Sequence, residues 1–272
     1  MTNSGKIAEV RPTGDGMGIG LFATMDIPMG TRILAESPLI FLPRSETPFL
    51  KLCDAVSLID PKMTGFADLH CNTRLLNENL PGNIITQIRS ENPQSTVDVQ
   101  NKAFRSLLEL YAIYHTNAVI ITKDNKDTGS GVFLTYSRIN HSCIPNAYHM
   151  WNASINRQIV HAGRDISAGQ QIFVSYLGDS GDIMTREQRL KETQLYWGFV
   201  CSCKACTQSE TTDVARKKMR DLRKALDQSY QLWPPADSKA GKIIALNALH
   251  NAQKLLHLME EADLRGWRLC QA

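Results

Sequence analysis

Over the first 45 residues, apolar side chains come in short runs, such as TRILAESPLIFL at residues 31–42, that Gly and Pro interrupt. Runs of this length and punctuation predict β-strands, led in by the glycine-rich stretch GDGMGIGLFA at residues 14–23. From about residue 46 to 130 the pattern becomes helical. Phe104, Leu107, Leu108 and Tyr111 follow the i, i+3, i+4, i+7 spacing of an amphipathic helix, and DNKDTGSG at 124–131 reads as a loop. β-type patterning then resumes. NAYHMW and RQIVHAG flank the polar stretch NASIN and predict a hairpin, across which His149 and His161 would face each other as ordinary strand histidines. QQIFVSYL at 170–177 predicts a further strand. After Cys206 the chain turns helical. Met219, Leu222, Leu226 and Tyr230 share one face, Trp233-Pro234-Pro235 breaks the helix, and a second helix carries Leu246, Leu249, Leu256 and Met259.

One echo recurs within the β-rich parts. Asp26–Ile33 and Asp165–Ile172 both read D-I-x-x-G-x-x-I. Each predicts a tight turn in which Gly30 or Gly169 takes a positive φ that other residues resist. The repeat is read as two similar turns and not as a duplicated domain.

Composition narrows the function classes. A chain of 272 residues, 43% hydrophobic and 21% charged, can bury a real core. A net charge of +3 permits an acidic or nucleic-acid-associated partner but does not argue for one, and no direct nucleic-acid binding is expected. Arg216–Lys224 (RKKMRDLRK) reads as a solvated helix face in preference to a nuclear signal or histone-facing patch. The first residues show no apolar run, and no stretch approaches 18 apolar residues, so neither a secretory signal nor a membrane span is expected. The expected location is the nucleus, the cytoplasm or both. The sequons at Asn140 and Asn152 are then chance matches.

The seven cysteines are unevenly spread, with three inside Cys201-Ser202-Cys203-Lys204-Ala205-Cys206. In an intracellular protein that density suggests metal before disulfide. Tetrahedral Zn²⁺ wants four ligands, so one must come from elsewhere. Cys53, Cys71, Cys143 and Cys270 are the thiol options, and His70 and His141 the nearest imidazoles. Cys143 is favoured because it ends a constrained turn beside Pro145. That turn, RINHSCIPN at 138–146, gathers two amides, an imidazole, a hydroxyl and a thiol. Asn140 and Ser142 there also suit local side-chain to backbone bonding, which would make it only a satisfied turn.

Four signatures stand in order: GIGLFA at 18–23, RINHSCIPN, IFVSY at 172–176, and WGFVCSCKAC at 197–206. Together they resemble the SET-domain protein methyltransferases, in the SET-and-MYND-like branch with its fungal members, though no paired Cys-x2-Cys units mark a MYND finger. The match covers residues 5–45 and 131–207 well. The resemblance implies an α+β protein with a knotted SET β-fold. Its N-terminal part would be 1–45, a helical insertion 46–130, its C-terminal part 131–185, a zinc-binding post-SET segment 186–210 and a helical tail 211–272. It also implies methyl transfer from S-adenosylmethionine to lysine in a protein substrate, a histone tail or another protein.

Carried over residue by residue, the resemblance places the cofactor against the backbone of Met17-Gly18-Ile19, the Asn140 side chain and the His141 main chain. Phe199 matches the aromatic that stacks on adenine. Tyr176 matches the catalytic tyrosine, beside the cofactor's methyl and in the substrate channel, and Trp197 stands where the family often has a second tyrosine. Cys143 joins Cys201, Cys203 and Cys206 on zinc. The sequence departs from the family pattern at Met17 and Ile19, where relatives often carry Lys or Arg, and at Trp197, which lacks a phenolic hydroxyl. Those departures keep open a SET-fold scaffold without turnover, and the missing MYND finger and short tail keep open an enzyme acting on a small molecule.

Overall fold

The computed structural model describes residues 7–14, 16–44, 65–77, 96–124, 126–231 and 238–264, with isolated positions at 86 and 90. Cys53, Cys270 and the Trp233-Pro234-Pro235 break lie outside them. The strands are β1 (Ala8–Pro12), β2 (Ile19–Ala23), β3 (Arg32–Glu36), β4 (Ile40–Pro43), β5 (Val119–Lys123), β6 (Lys126–Val132), β7 (Asn140–His141), β8 (Ala147–Asn152), β9 (Arg157–Ala162) and β10 (Gln171–Val174). They form three sheets, ordered β1-β2-β10-β7, β3-β9-β8 and β4-β6-β5. Helix α1 (Val97–Asn117) precedes β5 and packs Ile113 and Tyr114 on Ile40, Leu42 and Val132. The fold is α+β.

The main core lies between the sheets. Leu21, Phe133, Ile139, Val160, Ile172 and Val174 are all buried in it. In β10, buried Ile172 and Val174 alternate with half-buried Gln171 and Phe173, the period of two that points alternate residues inward. Strand β9 is buried on both faces because it is central, between β3 and β8.

The two D-I-x-x-G-x-x-I turns pack against each other about a local two-fold. Ile27 and Ile166 exchange both backbone bonds, at 2.8 and 2.9 Å. Asp165 Oδ1 accepts from Met29 N, and Asp26 Oδ1 accepts from Ala168 N, each at 2.8 Å. Gly30 N donates to Ala162 O and Gly169 N to Ala23 O, again at 2.8 Å. Both glycines sit at positive φ, 83° and 80°.

Two expectations need correction. Residues 126–131 of the stretch read as a loop are strand: Lys126–Val132 is the central strand of the β4-β6-β5 sheet. Gly129 and Gly131 serve close approach there, since a Cβ on Gly129 would stand 2.2 Å from Leu42 O. The hairpin forms, but His149 and His161 do not face each other. The register pairs His149 with Val160 and His161 with Tyr148, on opposite faces. His149 Nδ1 instead accepts from Gln158 Nε2 at 2.9 Å, and burial lowers its pKa to about 4.

The tail is helical, as its pattern predicts. Helix α2 (Arg186–Glu192) starts on a Thr185–Gln188 capping box and runs into a π-helical turn, Thr193–Trp197, that ends at Gly198. A short helix α3 (Lys204–Thr207) leads to α4 (Ser209–Gln231) and α5 (Lys239–Glu261). Leu255 and Met259 of α5 pack on Met219 of α4, whereas Leu246, Leu249 and Leu256 are exposed. Tyr230 is exposed too, so the buried face of α4 stops at Leu226.

The paired turns generate a test. A Cβ on Gly169 meets nothing within 4 Å, so only backbone strain opposes one. Gly169→Ala should therefore lower unfolding free energy by about 1–2 kcal/mol. Urea denaturation showing no loss would mean that the turn adopts another conformation in solution.

Candidate functional site

The site forms where β7 runs parallel to β10, pairing Asn140 with Phe173 and His141 with Val174. A two-residue strand needs further anchoring, and the turn supplies it. Ser142 N donates to Val174 O at 3.0 Å. The Asn146 amide then acts as a strand partner, accepting from Phe173 N at 2.7 Å and donating to Gln171 O at 2.9 Å. Ser142 closes the turn locally, its hydroxyl accepting from Ile144 N at 3.1 Å. Asn140 does not bond locally. Its Nδ2 donates to Ile19 O at 3.1 Å, tying the polar turn to the N-terminal glycine turn.

In that glycine turn Gly18 has φ 78°, and open space stands where a Cβ would be. Its carbonyl accepts from Thr13 N and Thr13 Oγ1, at 2.9 and 3.1 Å. Met17 and Ile19 each keep 40% of their surface exposed. The backbone there is approachable, which suits a ligand recognised through main-chain groups.

Beyond β10 the chain reaches Tyr176. Its hydroxyl donates to Ile139 O at 2.7 Å, and its amide donates to His141 Nδ1 at 3.0 Å. Burial pushes the phenol above its ordinary pKa of 10, so it stays protonated at neutral pH and can keep donating. The ring lies 5.2 Å from Trp197 and 5.3 Å from His141, centroid to centroid, with Phe199 edge-on at 6.3 Å. His141 is itself 5.9 Å from Phe199. An aromatic wall therefore surrounds one phenol.

Burial lowers the His141 pKa to about 4, so the ring is neutral near pH 7. Because Nδ1 accepts, Nε2 carries the proton, and it lies 3.3 Å from Cys143 Sγ.

Cys143, Cys201, Cys203 and Cys206 bring their sulfurs within 4.8 Å of one another. Cys143 Sγ is 3.9 Å from Cys201 Sγ and 3.6 Å from Cys206 Sγ. A disulfide needs about 2.05 Å, so these thiols are free. Four sulfurs about 2.3 Å from a tetrahedral ion stand about 3.8 Å apart, so the donors fit a thiolate-bound metal. Hydrogen bonding among the thiols raises the pKa of Cys143 and lowers that of Cys203, and Cys206 comes down to about 7. Without a cation the four would share protons unequally.

Two buried arginines flank the sulfurs, and neither was legible as a site residue in the sequence. Arg189 is 0% exposed. Its Nη1 donates to Met184 O at 2.7 Å, and its Nη2 to Ala205 O at 3.1 Å and to Cys206 Sγ at 3.7 Å. Burial opposes its charge, yet the sulfurs of Cys143 and Cys206 hold its pKa above the ordinary value. Arg216, read from the sequence as solvated, is 1% exposed. It donates to Gly181 O at 2.7 Å and to Cys143 O at 2.9 Å.

The structure thus brings together Ile19 with Asn140, then His141, Tyr176, Trp197 and Phe199, and then the four cysteines. The SET domain model matches residues 18–177, more than half of the chain. The chain belongs to the SET-domain family. Curated relatives agree with that membership. The chain is 28% identical over 92% of its length to "Histone-lysine N-methyltransferase set5" of Schizosaccharomyces pombe, spanning 64% of that protein. It is 29% identical over 53% of its length to "Histone-lysine N-methyltransferase SET5" of Scheffersomyces stipitis, spanning 30% of it. It is 25% identical over 77% of its length to human "Histone-lysine N-methyltransferase SMYD3", spanning 47% of it. The chain therefore covers under two thirds of each of these proteins. The resemblance to the SET-and-MYND-like branch holds, and among the described residues no helix is long and apolar enough to cross a membrane.

Within this SET-domain chain, Arg189→Met tests the role of the buried cation. It keeps a long side chain but leaves Cys206 Sγ, Ala205 O and Met184 O without their donor, and the Asp213 carboxylate, 3.5 Å from Nη1, without its cation. Unfolding free energy should fall by about 3 kcal/mol or more, as when a buried charge pair loses a partner. A loss under about 1 kcal/mol in urea titration would mean that the guanidinium contributes only packing.

Proposed function

We propose that this SET-domain chain transfers methyl groups from S-adenosylmethionine to the side-chain amine of lysine in a protein, a histone being the class its relatives' names suggest. The knotted arrangement and a post-SET segment closed by one Zn²⁺ on Cys143, Cys201, Cys203 and Cys206 are part of the same reading. The observation that carries it is the placement of Tyr176, a protonated phenol bonded to Ile139 O inside a wall of Trp197, Phe199 and His141.

Bound S-adenosylmethionine would supply an electrophilic methyl on a sulfonium. The Met17-Gly18-Ile19 backbone, Asn140 and His141 would hold it, with Phe199 against the adenine. The chain's own task is then alignment. With its proton committed to Ile139 O, the Tyr176 oxygen presents lone pairs, which can accept from an incoming amine and point its nitrogen. A free lysine with pKa near 10.4 is neutral only to about one part in 10³ at pH 7, a cost of roughly 4–5 kcal/mol. Burial beside Tyr176 and Trp197 lowers that cost by disfavouring the ammonium. No strong general base is required.

A second reading is a SET-fold scaffold that binds but does not turn over. Met17 and Ile19 favour it, because neither can offer a charge-assisted bond to a carboxylate.

Tyr176→Phe separates the two. The ring volume is kept, so zinc content and calorimetric affinity for S-adenosylmethionine should be unchanged. Turnover, read with labelled cofactor on histones and cell lysate, should fall by about 10² or more because the amine loses its alignment. Equal activity in both proteins would remove Tyr176 from the chemistry. Inert wild type that still binds cofactor would leave the scaffold.

A further inference from the structure

We propose that Asn72 is a positioning residue for the lysine channel, holding the π-helical turn that carries Trp197 and so setting the gap between Trp197 and Tyr176. The proposal rests on the methyltransferase reading above. It goes beyond that reading in giving the segment before α1 a role in how many methyl groups the site admits.

Helices leave their last carbonyls without partners of their own. Here those carbonyls belong to the Thr193–Trp197 turn; Gly198 N and Phe199 N satisfy Gln194 O and Thr193 O, and residues more than 120 positions earlier satisfy Leu195 O and Trp197 O. Asn72 Nδ2 donates to Leu195 O at 3.0 Å, and His70 Nε2 donates to Trp197 O at 2.9 Å. Asn72 is 1% exposed. Its Oδ1 accepts from Arg74 N at 3.1 Å, and its own amide donates to Thr116 Oγ1 at 2.9 Å. Thr116 is in turn fixed by donating to Ala112 O within α1, and Asn117 Nδ2 donates to His70 O at 2.8 Å. A buried amide with this many partners has one orientation.

The fit from the other side is equally close. Gly198 ends the turn at φ 76°, and a Cβ there would stand 2.6 Å from Asn72 Oδ1. The amide and the glycine therefore define one another's positions. A π-helical turn is uncommon, and such turns recur at functional sites. The side chain aimed here is Trp197, whose ring is tilted 44° to that of Tyr176. Without Asn72, Leu195 O loses its donor and the turn is free to rewind toward α-register, drawing Trp197 from Tyr176. A wider gap accepts an amine already carrying a methyl group.

The test uses the full 272-residue chain, S-adenosylmethionine with a labelled methyl, and a lysine-containing histone peptide. Mass spectrometry reads the ratio of mono-, di- and trimethyl-lysine. Asn72→Ala should raise the higher methylated products relative to monomethyl by about tenfold, the scale on which a pocket senses one methyl group. Gly198→Ala, which pushes on the same turn, should change the ratio too, and the double variant should not equal the sum of the singles. Trp197 emission, taken as the difference from a Trp197→Phe partner in each background, should shift in both variants. A slower rate with an unchanged product ratio and unchanged Trp197 emission is a purely structural role, and overturns the proposal. If wild type transfers no methyl at all, the methyltransferase reading fails, and the emission difference alone decides whether Asn72 places Trp197. If Asn72→Ala does not fold, Gly198→Ala gives the same two readouts.

Discussion

The imidazole of His141 accepts from the Tyr176 amide at Nδ1 and faces the Cys143 sulfur with Nε2, 3.3 Å away. An amide can only donate, so this contact fixes the tautomer, and burial keeps the ring neutral. One side chain then links the Tyr176 backbone to the sulfur cluster. Loss of either contact would leave a buried polar group unpaired, at a cost of about 1–3 kcal/mol. The parallel pairing of β7 with β10 makes the link possible, because His141 stands opposite Val174, two residues before Tyr176. The arginines complete the arrangement: Arg189 reaches the Cys206 sulfur, and Arg216 holds the Cys143 carbonyl.

Much of the β-structure was legible because it is local. The hairpin β8–β9 and strand β10 follow from alternation bounded by polar turns. The two D-I-x-x-G-x-x-I turns were visible as turns, but not as partners. Their mutual bonds join residues far apart in sequence, and no local pattern encodes which turn meets which. The stretch DNKDTGSG failed for another reason. Its composition is that of a loop, yet Gly129 and Gly131 are there to let β6 lie against β4 and β5. In α5 several leucines share a helix, and only packing on Met219 tells Leu255 from the exposed Leu256.

The candidate site divides in the same way. Cys201, Cys203 and Cys206 announce themselves by spacing, whereas Cys143 rested on a constrained turn and on family resemblance. Arg216 sits in a basic run that reads as solvated, but it lies three residues before fully buried Met219, on the same helical face. That spacing was the available signal. Arg189 and Asn72 carried no such signal. A charged or amide side chain is an ordinary surface residue until tertiary structure surrounds it with carbonyls and sulfur.

X-ray absorption at the zinc edge, on protein purified with its native metal, tests the link between the sulfur cluster and the tyrosine most directly. The account predicts four sulfur neighbours at about 2.3 Å and no nitrogen or oxygen in the first shell, with His141 donating to a ligand and not acting as one. Three sulfurs and a nitrogen would contradict it, because His141 would then bind the metal and could not carry its proton at Nε2. Absence of zinc would contradict it as well.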